Sequence, residues 1–239
     1  MYVVRSLIAY LVTVAYIVIA GPIGLVVAIV LRSTDGLYRL GHWGVRLALA
    51  LAGIRWRVAG VENIPKTAAV FCSNHESNVD PPVLFEALHP RLKILYKAEL
   101  RQVPIMRTAF DVAGFVPVDR ADREQAMASI ARGAEALRQG HSFLIFPEGT
   151  RSRTGELLPF KKGGFIMAIE AQVPIVPVAI QGGRDAMRKG SAFVRPVNVS
   201  VRIGEPIPTA GLTIGDRDAL IARVRAEVQK LRDQGSLWT

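Results

Sequence analysis

Ala68-Ala69-Val70-Phe71-Cys72-Ser73 runs directly into Asn74-His75-Glu76-Ser77-Asn78-Val79-Asp80-Pro81-Pro82. The first part is apolar at successive positions, as expected of a strand in a sheet covered on both sides. A polar cluster directly after such a strand lies at the carboxyl edge of the sheet, where α/β folds place their sites. Asp80-Pro81 reads as a helix start, because Asp is a preferred N-cap and Pro a preferred first helical residue. A capping Asp is fixed in space and can also orient an imidazole. His75, five residues earlier on the same loop, can meet it without sharing a helix face. A histidine whose partner carboxylate fixes its tautomer is the standard base for deprotonating a hydroxyl. Alone, the pair is weak evidence, because a plain helix cap beside an unrelated histidine gives the same pattern.

Outward from this stretch the pattern repeats. Short apolar runs at 93–96, 112–118, 142–146, 175–180 and 197–203 read as strands, and they alternate with amphipathic helices. The clearest helix covers 122–139, with Met127, Ile130, Ala134 and Leu137 as its stripe, Asp122 as its cap and Gly140 as its end. The last helix, near 216–233, presents Leu220, Val224, Val228 and Leu231 on one face for docking on the core. The expected class is α/β, a mixed, mostly parallel sheet covered by helices. Its expected extent is residues 55–239, behind an N-terminal membrane-anchoring helical segment at 1–54.

That first segment differs in kind. Ser6 to Leu31 is 26 residues without a charge, flanked by Arg5 and Arg32. As one helix it would be about 39 Å long at the usual rise, against a hydrocarbon core of roughly 30 Å. Gly21-Pro22 interrupts it, so the expectation is either one kinked span or two short arms dipping into one leaflet. Leu37, Leu40, Leu47 and Leu51 then recur at helical spacing with Arg39, Trp43 and Arg46 between them, the pattern of a basic helix lying in an interface. The apolar core of a cleaved signal peptide is shorter, so the segment reads as an anchor.

Composition narrows the partners. The formal net charge is +10, and residues 1–60 hold six Arg against the single acid Asp35. A basic excess beside an apolar stretch points to anionic lipid headgroups. No zinc-finger, RRM or helix-turn-helix pattern supports nucleic acid. The lone cysteine, Cys72, rules out an intramolecular disulfide and a cysteine-based metal cluster, and it reads as a small buried hydrophobe. There is no Gly-x-Ser-x-Gly elbow, P-loop or His-Glu-x-x-His zinc pair. His42, His89 and His141 show no partners in the sequence, and Ser73 and Ser77 flank His75 too closely for a triad.

Three further clusters complete the pattern. Phe146-Pro147-Glu148-Gly149-Thr150-Arg151-Ser152 follows a strand; Gly149 permits a tight turn, and Arg151 can hold a phosphate through two hydrogen bonds. Arg153, Lys161 and Lys162 add positive charge nearby, although an ordinary polar turn would look the same. Gly114-Phe115-Val116-Pro117-Val118-Asp119-Arg120 ends a strand in a second candidate phosphate ligand, Arg120. Val173-Pro174-Ile175-Val176-Pro177-Val178 is apolar and reads as structural, or as a wall for an acyl chain.

In this order the four clusters resemble the blocks of the glycerophospholipid acyltransferase family, and most nearly its bacterial 1-acylglycerol-3-phosphate (lysophosphatidic acid) acyltransferases. The resemblance runs from Asn74 to Val178, about half the chain, and Lys97-Ala98-Glu99-Leu100 is similar to another recurring family segment. Asn-His-x4-Asp followed by Phe-Pro-Glu-Gly-Thr-Arg-Ser is specific as a pair. Pro117 departs from the residue many members carry, while Gly114 and Arg120 keep the pattern. The resemblance implies that His75 and Asp80 are catalytic. Gly114, Arg120, Glu148, Gly149, Thr150 and Arg151 would bind substrate and order the site. It implies direct acyl transfer from acyl-CoA or acyl carrier protein to the sn-2 hydroxyl of 1-acylglycerol 3-phosphate, with no metal and no cofactor. It further implies an inner-membrane location with the site facing the cytoplasm. A different lysolipid acceptor, such as lyso-ornithine lipid or lysophosphatidylglycerol, and a non-catalytic lipid-binding protein are the competing readings.

Overall fold

The computed structural model describes residues 2–88, 92–102, 104–118, 123–187 and 190–238. Two helices come first, α1 (Tyr2–Val30) and α2 (Asp35–Ala52). α1 runs unbroken through Pro22, so the two-arm expectation gives way to one continuous helix. The two helices pair antiparallel: Val27 meets Gly36, Gly24 meets Leu40, and Gly44 lies against the Tyr16 ring. Tyr16 also donates to the Leu40 carbonyl at 2.8 Å. At Gly24 and Gly44 the neighbouring side chain occupies the space that a Cβ would need, so small residues set the helix spacing.

This hairpin is held to the rest of the molecule near both of its ends. Ser6 Oγ donates to the Val194 carbonyl at 3.1 Å and accepts from Val194 N–H at 2.8 Å, and Tyr10 donates to Ala192. At the other end Tyr38 is buried and donates to the carbonyls of Leu92 and Ala113. The outward side of α1 exposes Leu7, Leu11, Val18, Ile19, Val26 and Val30. α1 is long and apolar enough to cross a membrane.

Gly53 ends α2 in the left-handed conformation and turns the chain into β1 (Ile54–Ala59), a strand the sequence reading missed. The order then runs β2 (Val70–Ser73), α3 (Asp80–Leu88), β3 (Lys93–Lys97), α4 (Pro104–Ala113), β4 (Val116–Val118) and α5 (Arg123–Arg138). It continues through β5 (Phe143–Ile145), α6 (Gly163–Ala171), β6 (Ile175–Gln181), the single turn α7 (Gly183–Ala186), β7 (Val197–Ile203) and α8 (Arg217–Asp233). The seven strands form one sheet in the order β1-β7-β6-β2-β5-β3-β4. Among the described strands only β6 and β7 pair antiparallel; every other neighbouring pair of strands is parallel.

One expectation fails clearly. The run 112–118 is not a single strand, because Val112 and Ala113 close α4 and only Val116–Val118 is extended. The cause is Gly114, whose φ of 71° lets it take the left-handed position after the helix. Phe115 N–H then reaches back to the Phe110 carbonyl, and Gly114 N–H to that of Asp111.

The opening stretch shows why the sheet is buried on both faces. Phe71 points into a cluster with Leu49, Val83, Leu84, Val178, Val199 and Val201. Val70 and Cys72 point the other way, onto Leu137 of α5, Phe165 and Met167 of α6, and Val224 and Val228 of α8. Side chains alternate along a strand, so a central strand between two helical layers must be apolar at successive positions. β2, β5, β3, β4 and β6 all run the same way, so their carboxyl ends share one edge of the sheet.

Candidate active site

At that edge β2 hands over to the 74–80 loop. The Asn74 amide donates to the Ile180 carbonyl and accepts from Ile180 N–H, both at 2.8 Å, which continues the β2–β6 pairing with a side chain. His75 is thereby placed one residue beyond the strand. Its main chain is fixed from the other side: His75 N–H donates to Glu148 Oε1 and Ser152 N–H to the His75 carbonyl, each at 2.8 Å. Its ring stacks on Phe146, with centroids 4.2 Å apart.

The ring Nδ1 lies 3.0 Å from Asp80 Oδ2. The Asp80 side chain is fully buried, whereas that of His75 is 16% exposed, so the free ring nitrogen is the one that can face a substrate. A carboxylate at Nδ1 holds the proton there and leaves Nε2 as the basic atom. Asp80 Oδ2 also accepts from the N–H groups of Glu76 (2.6 Å) and Ser77 (2.7 Å). These bonds run backward along the chain. A helix cap would reach forward to the second or third helical N–H. Asp80 is the first residue of α3, but its carboxylate closes the loop and does not cap the helix. The other oxygen, Oδ1, has no hydrogen-bond partner. It rests against Gly183, where a Cβ would collide with it.

The second loop begins with a turn in which Gly149 N–H donates to the Phe146 carbonyl at 3.0 Å. Pro147 supplies the restricted φ at the second position, and Gly149 has φ 69°, a conformation that suits glycine. Glu148 is buried and bridges the two loops, its Oε1 on His75 N–H and its Oε2 on Leu158 N–H at 3.0 Å. Burial pushes its carboxyl above the usual range, and the two N–H groups pull it part of the way back. Glu148 therefore orders the site from within. Arg151 is half-buried and Thr150 exposed on the same loop. Arg120 and the cap Asp122 lie outside the described residues, as does His89. Gly114 has the helix-ending role given above and precedes β4, which β5 and β3 separate from β2 in the sheet.

Alternative nucleophiles are occupied. Ser73 Oγ donates to the Asn74 carbonyl at 3.1 Å, and Ser77 Oγ to that of Met187 at 2.9 Å. The Cys72 thiol is fully buried, and burial, followed by the Glu148 charge, pushes its pKa far up. A thiol so placed is not a nucleophile. Among the described residues no group of three or more His, Cys, Asp and Glu could hold a metal ion. Two surface cavities, one lined by Arg39, His42, Trp43, Arg46 and Glu86 and the other by Arg202, Arg223, Glu227 and Lys230, include neither His75 nor Asp80.

The sequence missed several contacts, inside this site and outside it. His42, read as lacking a partner, sits 2.6 Å from Glu86, which also accepts from Arg46 at 2.6 Å. Phe146 and Gly183 gave no signal of their own. Glu76 was visible only as a neighbour of His75; it pairs with Arg232 of α8 at 3.3 Å.

This geometry coincides with the region matched by known proteins. A family model described as Acyltransferase matches residues 55–181. The chain belongs to the acyltransferase family. Its sequence is 36% identical over 178 residues to the 1-acyl-sn-glycerol-3-phosphate acyltransferase alpha of Mus musculus, covering 73% of this chain and 62% of that one. To the beta enzyme of Homo sapiens it is 34% identical over 192 residues, covering 80% and 69%. This family member thus spans somewhat under two thirds of the length of the alpha relatives. Its fold is similar to the crystal structure of the 1-acyl-sn-glycerophosphate (LPA) acyltransferase PlsC from Thermotoga maritima, with a TM-score of 0.84, 26% identity, and coverage of 100% of this chain and 98% of that one.

Proposed function

We propose that this protein transfers an acyl chain from acyl-CoA or acyl carrier protein to the sn-2 hydroxyl of 1-acyl-sn-glycerol 3-phosphate, giving phosphatidate. The carrying observation is the His75–Asp80 pair, ring nitrogen to buried carboxylate at 3.0 Å, next to the Glu148–Ser152 loop. The acceptor is the one named for the similar mouse and human enzymes, which supports this choice. His75 Nε2 takes the hydroxyl proton as the oxygen attacks the thioester carbonyl. Asp80 stabilises the imidazolium that forms, and the imidazolium returns the proton to the departing thiolate sulfur. General-base help of this kind is worth on the order of 10²–10⁴ in rate. No acyl-enzyme is needed, in keeping with the occupied Ser73 and Ser77 hydroxyls. Arg120, Gly149, Thr150 and Arg151 hold the acceptor phosphate, with Glu148 and Gly114 ordering the loops that carry them. No cofactor enters this scheme.

The exposed apolar side of α1 meets the bilayer. Both ends of the helical hairpin are bonded to the α/β domain, which favours a hairpin lying in one leaflet over a helix that leaves the domain to cross. The location proposed is the cell inner membrane, with the site on the cytoplasmic side.

The test uses purified protein in detergent, labelled palmitoyl-CoA or palmitoyl carrier protein, and a panel of lysophosphatidate, lysophosphatidylglycerol and lyso-ornithine lipid. Label should appear in phosphatidate. Labelling of another acceptor alone would replace the substrate. Free fatty acid formed without an acceptor would mean a thioesterase, and no transfer from either donor would reject the proposal.

A further inference from the structure

The 152–158 loop, which follows the Glu148–Arg151 turn, is gripped by three arginines through its main-chain carbonyls. Arg184 of α7 donates to Thr154 at 2.7 Å, Arg225 of α8 to Leu157 at 3.2 Å, and Arg232 of α8 to Gly155. Arg184 and Arg225 act on that loop alone among their described bonds. Arg232 reaches further. The same Nη2 lies 3.3 Å from Glu76 Oε1, and both side chains are nearly buried, at 13% and 8% exposure. Glu76 follows His75 directly, and its own N–H is one of the two held by Asp80. The Arg232 main chain is anchored as well, its carbonyl accepting from Gln181 at the end of β6.

We propose that Arg232, at the end of the last helix, is a positioning residue of the acyl-transfer site: through Glu76 and Gly155 it locks the His75 loop against the loop that binds the acceptor phosphate. The inference rests on the reading of His75 as the base for acyl transfer.

The electrostatics support it. Three buried carboxylates meet at the His75 loop: Glu76 on the loop itself, Asp80 on α3 against the His75 ring, and Glu148 after β5 on the His75 N–H. Asn74 adds a hydrogen bond to Glu76 at 3.3 Å. Burial, and after it the Asp80 charge, push Glu76 up to about 7, with Arg232 opposing both. Arg232 also lowers Glu148. Without its guanidinium, Glu76 would have to ionise unpaired in a buried site, and removing one partner of a buried pair costs more than removing both. The loop geometry should then fail progressively as the pH rises.

The experiment compares the parent with Arg232→Gln, Glu76→Gln, the double variant and Arg225→Gln, which removes a loop clamp that does not touch Glu76. For each, kcat and KM for lysophosphatidate and the thermal midpoint are followed from pH 6 to 9. Arg232→Gln should lower kcat at least tenfold at pH 8 with KM within about threefold, and the loss should deepen with pH. Adding Glu76→Gln should recover most of the activity and flatten both profiles. Arg225→Gln should lower the midpoint without the added pH slope.

The proposal is overturned if Arg232→Gln stays within twofold of the parent throughout, or if the double variant is no better than Arg232→Gln. A parent that acylates no lysolipid would instead sink the acyltransfer reading. The thermal profiles would still report whether Arg232 and Glu76 act as a pair.

Discussion

Asp80→Asn separates a charge from a shape. Asn can place its amide oxygen where Oδ2 now lies, so the bonds from His75, Glu76 and Ser77 can all be kept. The amide NH2 then falls at the Oδ1 position, buried against Gly183 with no acceptor. Leaving such a donor unsatisfied costs about 1–3 kcal/mol, so the variant should fold with a lowered Tm. What it loses entirely is the negative charge that stabilises an imidazolium. Replacing the carboxylate of a His–Asp pair by its amide lowers kcat by on the order of 10⁴ in a protease, about 5.4 kcal/mol. We expect kcat for labelled palmitoyl transfer to lysophosphatidate to fall by at least 10³, with KM nearly unchanged. A loss under tenfold, at a temperature where the variant is folded by circular dichroism, would show that Asp80 serves loop geometry alone. The general-base account would then have to be abandoned.

Gly183→Ala should force the Asp80 carboxylate aside, because the new Cβ would collide with Oδ1; kcat should drop more than tenfold while far-UV dichroism keeps its native form. Cys72 should resist thiol reagents in the folded protein up to pH 9 and label fully in denaturant; rapid native labelling would contradict its burial. Glu76 gives a signed pH dependence. Its carboxyl is raised from 4.5 to about 7, so the folded state holds a proton that the unfolded chain releases at lower pH. Its contribution to stability is present below about 4.5 and lost as the pH rises through about 7. Calorimetry across that window should show Glu76→Gln with a shallower decline than the parent.

The central strand and the loop after it were legible because burial on both faces leaves an unbroken apolar run, and a polar cluster at its end has one place to go. The run 112–118 was misread for a related reason. Phe115 to Val118 continues the apolar character of a helix that has just ended, and only Gly114 marks the break. Asp80 does meet His75, yet its local role differs from a cap, because Pro82 removes a forward N–H and the backward ones of Glu76 and Ser77 are nearer. Long-range pairs left no trace. Glu86 is 44 residues from His42, and Arg232 is 156 from Glu76; charges that meet only through the folding of the sheet look like ordinary surface charges in a sequence.

The bonds from Ser6 to Val194 and from Tyr38 to Leu92 have a consequence for the membrane itself. If the hairpin lies in one leaflet as proposed, its clamping to the domain at both ends would fix how far the His75 edge sits from the lipid. An acyltransferase so seated would draw its acceptor from the monolayer it rests on and return the two-chained product to that same monolayer. The added area would accumulate on one side of the bilayer only. Growth of the opposite face would then depend on whatever carries lipid across.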